Sequence, residues 1–302
     1  MLGGDEIGAI VIEVGSHTTR CGYAGEDTPK SVFPSDIGLL SQQAPASTAD
    51  DTMETESAPT RRYRVGSQAM SVFVPNAEVI NPIDPETGRV KNWDALAQIY
   101  KYGLCETLHA TPEEHPILAI EPPDNSREAR ETLTELVFEH FKVPAFFVGK
   151  SCVMAAFASG KPTALVIDSG EERTVISAVH EGYCLKKSLV VSGVAGRFVS
   201  NEFLKSVVGN GVNVRPRYSF KRKETTPGNF DVVDLDVKGE MKSYRNYSLL
   251  EIANDIKQSV CEISPLKKYT FILISVYYYI LFYYYFYVYL FLRKILFLLE
   301  QK

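Results

Sequence analysis

A chain of 302 residues is long enough for two domains or one large two-lobed unit, and 45% hydrophobic with 23% charged residues is ordinary for a soluble globular protein. A net charge of −5 excludes a general pull toward nucleic acid or acidic lipid, so any such contact has to be local. Cys21, Cys105, Cys152, Cys184 and Cys261 are odd in number and form no C-x-x-C pair, which excludes an obvious disulfide framework or zinc site and suggests a reducing compartment, while Asp5 and Glu6 with no basic flank do not read as a secretory signal.

Ile7 to Val14 is a β-branched apolar run that ends in a carboxylate and a glycine, the pattern of a buried strand entering a tight loop. Gln42 to Arg62 is rich in Ala, Ser, Thr, Asp and Glu, and is expected to be a solvated, mobile loop. Asn92 to Leu108 has a helical pattern, and Ile117 to Ile120 is a short buried strand. Arg127 to Phe141 reads as an amphipathic helix with Leu133, Leu136, Val137 and Phe141 on one face, opened by a capping-box variant of Asn125 and Glu128. Pro144 to Val148 leads into a helix over Cys152 to Ala158, ended by Gly160. Thr163 to Asp168 repeats the first strand's pattern, and a hairpin of Thr174–Val179 and Tyr183–Val191 follows, turning at Glu181-Gly182. Gly196 to Val208 and Ser248 to Ile263 are expected helices. Strands alternating with helices argue for an α/β fold.

VIEVGSHT (Val11–Thr18) and VIDSGEER (Val166–Arg173) share one skeleton: two apolar residues, an acid, one residue, a glycine, then polar residues. The spacing of about 155 residues suggests a duplication at domain scale, with two α/β halves facing across a cleft. A strand-to-loop glycine turns backbone N–H groups toward an anion, and a strand-end carboxylate can hold a hydrated Mg²⁺ against phosphates. Arg20, on the strand after the first loop, could reach back as a cation. One such loop alone is commonly just a hairpin with a turn glycine; two matching loops strengthen the polyphosphate reading.

Tyr269 to Leu292 carries no charged residue and holds nine of the chain's 17 tyrosines. It is long enough to span a bilayer, yet tyrosine belongs at membrane interfaces and no periodicity is visible. Its Phe, Tyr, Ile, Leu and Lys are residues of AT-rich codons. The composition favours a tail foreign to the fold, arising from a gene-model or splicing artefact with a junction near Ser264. A true membrane segment and a buried core element are the alternatives. The expectation is a helix over Tyr269–Leu299 projecting from the body or laid loosely on it.

Other features have bland readings beside sharper ones. Arg215, Arg217, Lys221, Arg222 and Lys223 form a basic cluster, either a solvated loop or a nuclear-import or nucleosome contact. His109, His115, His140 and His180 show no ligand spacing, no Ser/His/Asp or Cys/His constellation is visible, and Trp93 reads as core.

Val14 to Asp27, with Pro29 and Val32-Phe33-Pro34, resembles the first phosphate loop of actin and its continuation. Pro82–Trp93, Glu113–Pro123 and Glu135–Ala145 resemble actin nearly throughout, as do Asp168-Ser169-Gly170, Glu181-Gly182-Tyr183, Ala195-Gly196-Arg197 and Asp255-Ile256-Lys257 with Cys261. The likeness covers about residues 5 to 263. Gly3–Glu6, the acidic loop near Met53-Glu54 and Arg215–Glu224 resemble the actin-related protein 4 branch, its plant members above all.

The resemblance implies an actin-like, two-lobed α/β fold of the Hsp70/hexokinase type. Residues 1–160 would form the first lobe, with a mobile loop at about 41–62, and 161–264 would start the second. The tail at 265–302 would lie outside the fold. It implies ATP with Mg²⁺ held by Gly15, Ser16, His17, Arg20, Asp168, Ser169, Gly170 and Lys257, with Glu13 and Asp168 reaching the metal through water. It also implies a nuclear assembly subunit of chromatin remodelling and histone acetyltransferase complexes. Its partners would be actin, a helical segment of the remodeller ATPase and histones or nucleosomes, without sequence-specific DNA binding or a membrane. Actin-like proteins continue into a C-terminal portion that completes the inner lobes, so exposed core is an expected risk here.

Departures from actin bear on chemistry. Glu13 stands for an aspartate and His17 for a glycine, and Glu171-Glu172-Arg173 puts acids beside the second loop. Ser151 stands for the water-positioning glutamine and Val175 for a histidine. Hydrolysis needs an oriented water, so binding without turnover is expected. An active actin-type ATPase and a membrane-anchored protein with an actin-like head are the alternatives.

Overall fold

The computed structural model of the chain describes residues 8–41, 61–226 and 229–261. The chain opens as an antiparallel meander of β1 (Ile10–Val14), β2 (Thr18–Tyr23) and β3 (Ser31–Pro34). Alternate residues Ile10 and Ile12 point inward and are fully buried, as the period-2 pleat requires. β4 (Ile37–Ser41), β5 (Arg61–Arg64) and β6 (Ala77–Ile80) form a separate three-stranded sheet, and α1 (Ser67–Ser71) packs on β4. Arg61 and Arg62 therefore belong to a strand, where a mobile loop was expected through Arg62. Residues 42–60, the rest of that expected loop, lie outside the described residues.

α2 (Trp93–Lys101) starts where the Asn92 side chain accepts the Ala95 N–H at 3.0 Å. It buries Ala95, Leu96, Ile99 and Tyr100, and Trp93 packs half-buried on the same core. The helix runs on through Tyr102–Thr107 in a wider turn, with Leu108 N–H bonded to the Gly103 carbonyl. β7 (Ile117–Glu121) and β8 (Phe146–Lys150) then add parallel strands, giving the sheet order β3-β2-β1-β7-β8. Between them α3 (Arg127–Glu135) is capped by Ser126, whose hydroxyl accepts the Ala129 N–H at 3.1 Å. This corrects the expected cap: Asn125 instead accepts the Ser126 N–H and donates to Glu121. Leu133, Val137 and Phe141 are buried on the face that the spacing predicts.

α4 (Ser151–Ala158) crosses to a second sheet of β9 (Ala164–Ser169), β10 (Thr174–His180), β11 (Tyr183–Cys184) and β12 (Val190–Ser192). The turn at Glu181-Gly182 is present, both residues at positive φ (47° and 80°). Its return arm is not one strand, as expected, but two short ones. A helical turn at Lys186–Ser188 interrupts it, and the Ser188 hydroxyl accepts the Ala178 N–H at 2.9 Å where strand pairing would continue. Among the described residues β9 pairs with β10 alone, whereas β1 is flanked on both sides; Leu165 and Ile167 are accordingly exposed.

α5 (Gly196–Gly209) leads to an exposed hairpin of β13 (Phe220–Thr226) and β14 (Asn229–Asp234). The basic cluster sits at its base and along β13. Arg215 pairs with Asp234, and both Arg215 and Arg217 stack over Phe220 (5.7 and 5.5 Å). Lys221, Arg222 and Lys223 remain exposed. α6 (Lys242–Val260) begins six residues before the expected helix and ends three before it. Its first turn meets the three-stranded sheet of the first lobe: Val79 N–H donates to Ser243 Oγ (3.1 Å) and Tyr244 Oη to the Met70 carbonyl (2.8 Å). Phe73 stacks on Tyr218 (4.6 Å) and stands edge-on to Tyr244 (5.4 Å). No helix of the described residues is long and apolar enough to cross a membrane. The tail at 265–302 and the helix expected over Tyr269–Leu299 lie outside the described residues.

Candidate functional site

The two repeated loops close in the same way. Gly15 N–H donates to the Thr18 carbonyl at 3.1 Å, and Gly170 N–H to the Arg173 carbonyl at 3.0 Å. The strands flanking them pair in the same register, Val14 with Thr19 and Ser169 with Thr174. Both loops face one cleft of about 340 Å³. Glu13, Gly15, Ser16, His17, Arg20, Asp168, Ser169 and Gly170 all line it, as do Ser151 and Val175. Lys257 lies instead in an adjoining pocket of about 260 Å³, which shares Ser169 and Gly170 with the cleft. There its ammonium donates to Ser200 Oγ (2.8 Å), Asn254 Oδ1 (3.1 Å) and the Gly196 carbonyl (3.3 Å).

Most cleft charges are answered by the chain itself. Arg20 Nη1 lies 3.4 Å from Glu13 Oε2, so Arg20 is directed at Glu13, and that acid is only partly available to a metal. Glu121, a third acid at the end of an apolar strand, is buried and held by Arg130 (Nε at 3.1 Å) and Asn125 (3.0 Å). Arg197 Nε stands 3.2 Å from Glu171 and 2.8 Å from Glu172. Burial pushes the Glu172 acid up, which Arg197 partly offsets. Burial likewise raises Asp36, against the Asn81 amide 2.9 Å away, and Glu251 opposite His17. Asp168 is exposed in the cleft, its carboxylate with no hydrogen bond or ion pair among the described residues. The exposed Asp168 carboxylate is the cleft oxygen donor that a hydrated Mg²⁺ could reach through water. No group of three or more candidate ligands for a directly bound ion occurs among the described residues.

Sequence reasoning missed Glu121 as a cleft residue, and missed Asp124 and Arg197 as the ion-pair partners of Arg173 and of Glu171 and Glu172. For Glu121 a signal existed: ILAIE ends in an acid just as the first and ninth strands do.

The actin family's sequence profile matches residues 4–272. The chain belongs to the actin family. It is 43% identical over 278 residues to actin-related protein 4 of Oryza sativa subsp. japonica and 43% over 275 residues to that of Arabidopsis thaliana, covering 87% of this chain and 62% of each relative. Against actin-related protein 4 of Schizosaccharomyces pombe it is 34% identical over 266 residues, 87% of this chain and 56% of that one. This family member thus spans about three-fifths of the length of the relatives it matches. The family match ends inside the aromatic tract that begins at Tyr269.

Proposed function

We propose that this actin-family chain is a nuclear, non-catalytic subunit that holds ATP with Mg²⁺ as a structural ligand and serves the assembly of chromatin remodelling and histone acetyltransferase complexes. The observation that carries the nucleotide reading is the pair of glycine loops, closed in one register and facing one cleft, with the Asp168 carboxylate unpaired among the described residues at the foot of the second. Bound Mg²⁺ would neutralise polyphosphate charge. Ser16, His17 and Ser169 would present donors to the phosphates, Gly15 and Gly170 would close the two loops through their own N–H groups, Arg20 and Glu13 would steady the first loop, and Lys257 would fix the far side of the second. Val175 brings no polar atom to the cleft, and Ser151 is too short to orient an attacking water, which supports retention without turnover. The exposed Lys221–Lys223 strand supports nuclear import or nucleosome contact; docking beside actin on a helical segment of a remodeller ATPase is the partner reading proposed with it.

The test is equilibrium binding of Mg·ATP to the purified chain, with phosphate release measured in the same sample. Binding that weakens at least about tenfold in Asp168→Ala, with release no faster than buffer, is expected. Absence of Mg·ATP binding, or sustained turnover, would overturn the reading.

A further inference from the structure

We propose that Arg173 and Asp124 form a latch that joins the two lobes under the cleft and sets how long a nucleotide stays there. The proposal rests on the nucleotide-binding reading above for its consequence, though not for the contact itself. Arg173 ends the second glycine loop, and Asp124 follows β7 of the first lobe. The guanidinium meets the carboxylate with both prongs, Nη1 to Oδ2 at 2.9 Å and Nη2 to Oδ1 at 3.0 Å. The Arg173 side chain is 10% exposed and that of Asp124 24%, so water screens the pair little.

Two segments of the first lobe meet at this guanidinium, Asp124 and the turn at 84–89. The turn closed by the Gly88 N–H and the Asp84 carbonyl (2.8 Å) packs against it. A Cβ at Gly88 would stand 2.5 Å from Arg173 Nη2, and Gly88 has φ of +65°, so a side chain there would be strained and would displace the guanidinium. Arg89, next in that turn, donates to the Asp124 carbonyl at 2.7 Å and fixes the acid's backbone. Burial alone would raise the Asp124 acid; the hydrogen bonds and charge of Arg173 outweigh it and hold the carboxyl below its ordinary range.

The other ion pairs of the cleft stay within one lobe: Arg20 with Glu13, Arg130 with Glu121, and Arg197 with Glu171 and Glu172. Among the described cleft residues Arg173 makes the ion pair that crosses. The loops are otherwise matched, and the first has Thr18 at the corresponding place. The lobes also touch at the start of α6, through Ser243 and Tyr244, 13 residues or more before Lys257, which is about 20 Å along a helix. The latch and this outer contact are therefore separate links between the lobes, and a nucleotide leaves when the lobes part. Losing one member of a buried, hydrogen-bonded charge pair speeds the parting of the two surfaces that it joins, here the two lobes.

The test uses the full chain and Asp124→Asn, which keeps the shape and removes the charge. Hydrogen exchange of the nucleotide-free protein should quicken at 170–173 and at 84–89, in both lobes, while 95–100 in α2 stays as it was. Unchanged exchange at 170–173 overturns the latch. Release of a fluorescent ATP analogue with Mg²⁺ should quicken about tenfold or more. Asp124→Asn/Arg173→Gln should release no faster than either single variant, which a merely additive loss of stability would not produce. Release at the parent rate overturns the proposal. A parent chain that binds no analogue sinks the nucleotide reading alone, and the exchange measurement still decides the latch. If Asp124→Asn does not fold, Arg173→Lys takes its place, since it keeps the charge and loses the two-pronged contact.

Discussion

Arg130→Met isolates the buried acid that the first lobe presents to the cleft. Glu121 is 3% exposed and accepts from Arg130 and from Asn125. Removing the cation from a buried pair costs about 3–5 kcal/mol, because the remaining charge is left uncompensated. The Arg130 side chain is 47% exposed, so water can replace part of it, and Asn125 still donates. Methionine keeps most of the apolar stem, so packing changes little. The expected cost is therefore about 2–3 kcal/mol, below that range once the solvent exposure of Arg130 is discounted. In a unit of this size that lowers Tm by roughly 5–10 °C. Glu121→Gln alone removes the charge and keeps the shape, and should cost less. In Arg130→Met/Glu121→Gln the stranded charge is gone, so the double variant should be more stable than the sum of the singles by about 1 kcal/mol or more. Urea unfolding of the four proteins measures this cycle. Strict additivity, or an Arg130→Met cost below about 0.5 kcal/mol, the scatter of ordinary surface changes, would refute the reasoning.

Two further perturbations test other parts of the site. Burial raises the acids of Asp36, Glu172 and Glu251, so each favours folding below its ordinary pKa and loses that contribution as pH rises through the raised value. Glu251→Gln should then raise Tm by a few degrees at pH 8 and by nothing near pH 4; an equal gain at both would show that charge is not the cause. The Asp124 acid has the opposite sign: its lowered pKa supports the fold above the ordinary carboxylate value and is lost on acidification, so the latch should loosen as pH falls through that region. On the outer edge of β9, Leu165 and Ile167 are exposed beside backbone that pairs with no further strand among the described residues, a template for edge-to-edge association. Ile167→Lys should reduce light scattering of the concentrated chain, and unchanged scattering would place self-association elsewhere.

Much of this was legible in the sequence because the signals were local. Apolar runs ending in acid-x-Gly marked both cleft strands, and the glycine register that closes them followed from the spacing. Gly196 to Gly209 and the helix faces of Leu133, Val137 and Phe141 needed only the 3.6-residue period. What failed was decided by competition between neighbours or by distance along the chain. Ser126 took the cap because its hydroxyl reaches the third amide ahead, while Asn125 was drawn toward Glu121. The strand expected over Tyr183–Val191 broke where Ser188 could satisfy a strand amide with its side chain. Lys242 to Tyr247 carried no clear apolar period, and their helix is held by contacts to Met70 and Val79 more than 160 residues away. The Arg173–Asp124 pair spans 49 residues, and no composition or period announces such a meeting.

The second glycine loop shows why a matched backbone can carry unmatched side chains. Glu171 and Glu172 read from sequence as negative charge beside a phosphate site. In the structure both carboxylates turn to Arg197 at the start of α5, and their side chains are only 9% and 19% exposed. The approach is coulombic, since the Arg197 Nε–H is not aligned for a hydrogen bond. Arg197 N–H donates to the Glu171 carbonyl at 2.6 Å, and Gly196 N–H to the Gly170 carbonyl at 2.9 Å, so the helix start and the loop are fastened together. The acids thus spend their charge on fixing the loop to α5. Anion binding by such loops depends on backbone amides and on the cation beside them, not on the side chains of the loop. The geometry that suits a polyphosphate is therefore kept by Gly15 and Gly170, while the neighbouring positions are free to build Glu171, Glu172 and Arg173 into contacts within the protein. Replacing Arg197 by Met should strand two buried carboxylates against the cleft. It should weaken Mg·ATP binding more than Arg20→Met does, because Arg20 answers a half-exposed acid. Equal losses from the two substitutions, measured by equilibrium binding in folded protein, would mean that the acids reach the phosphates after all.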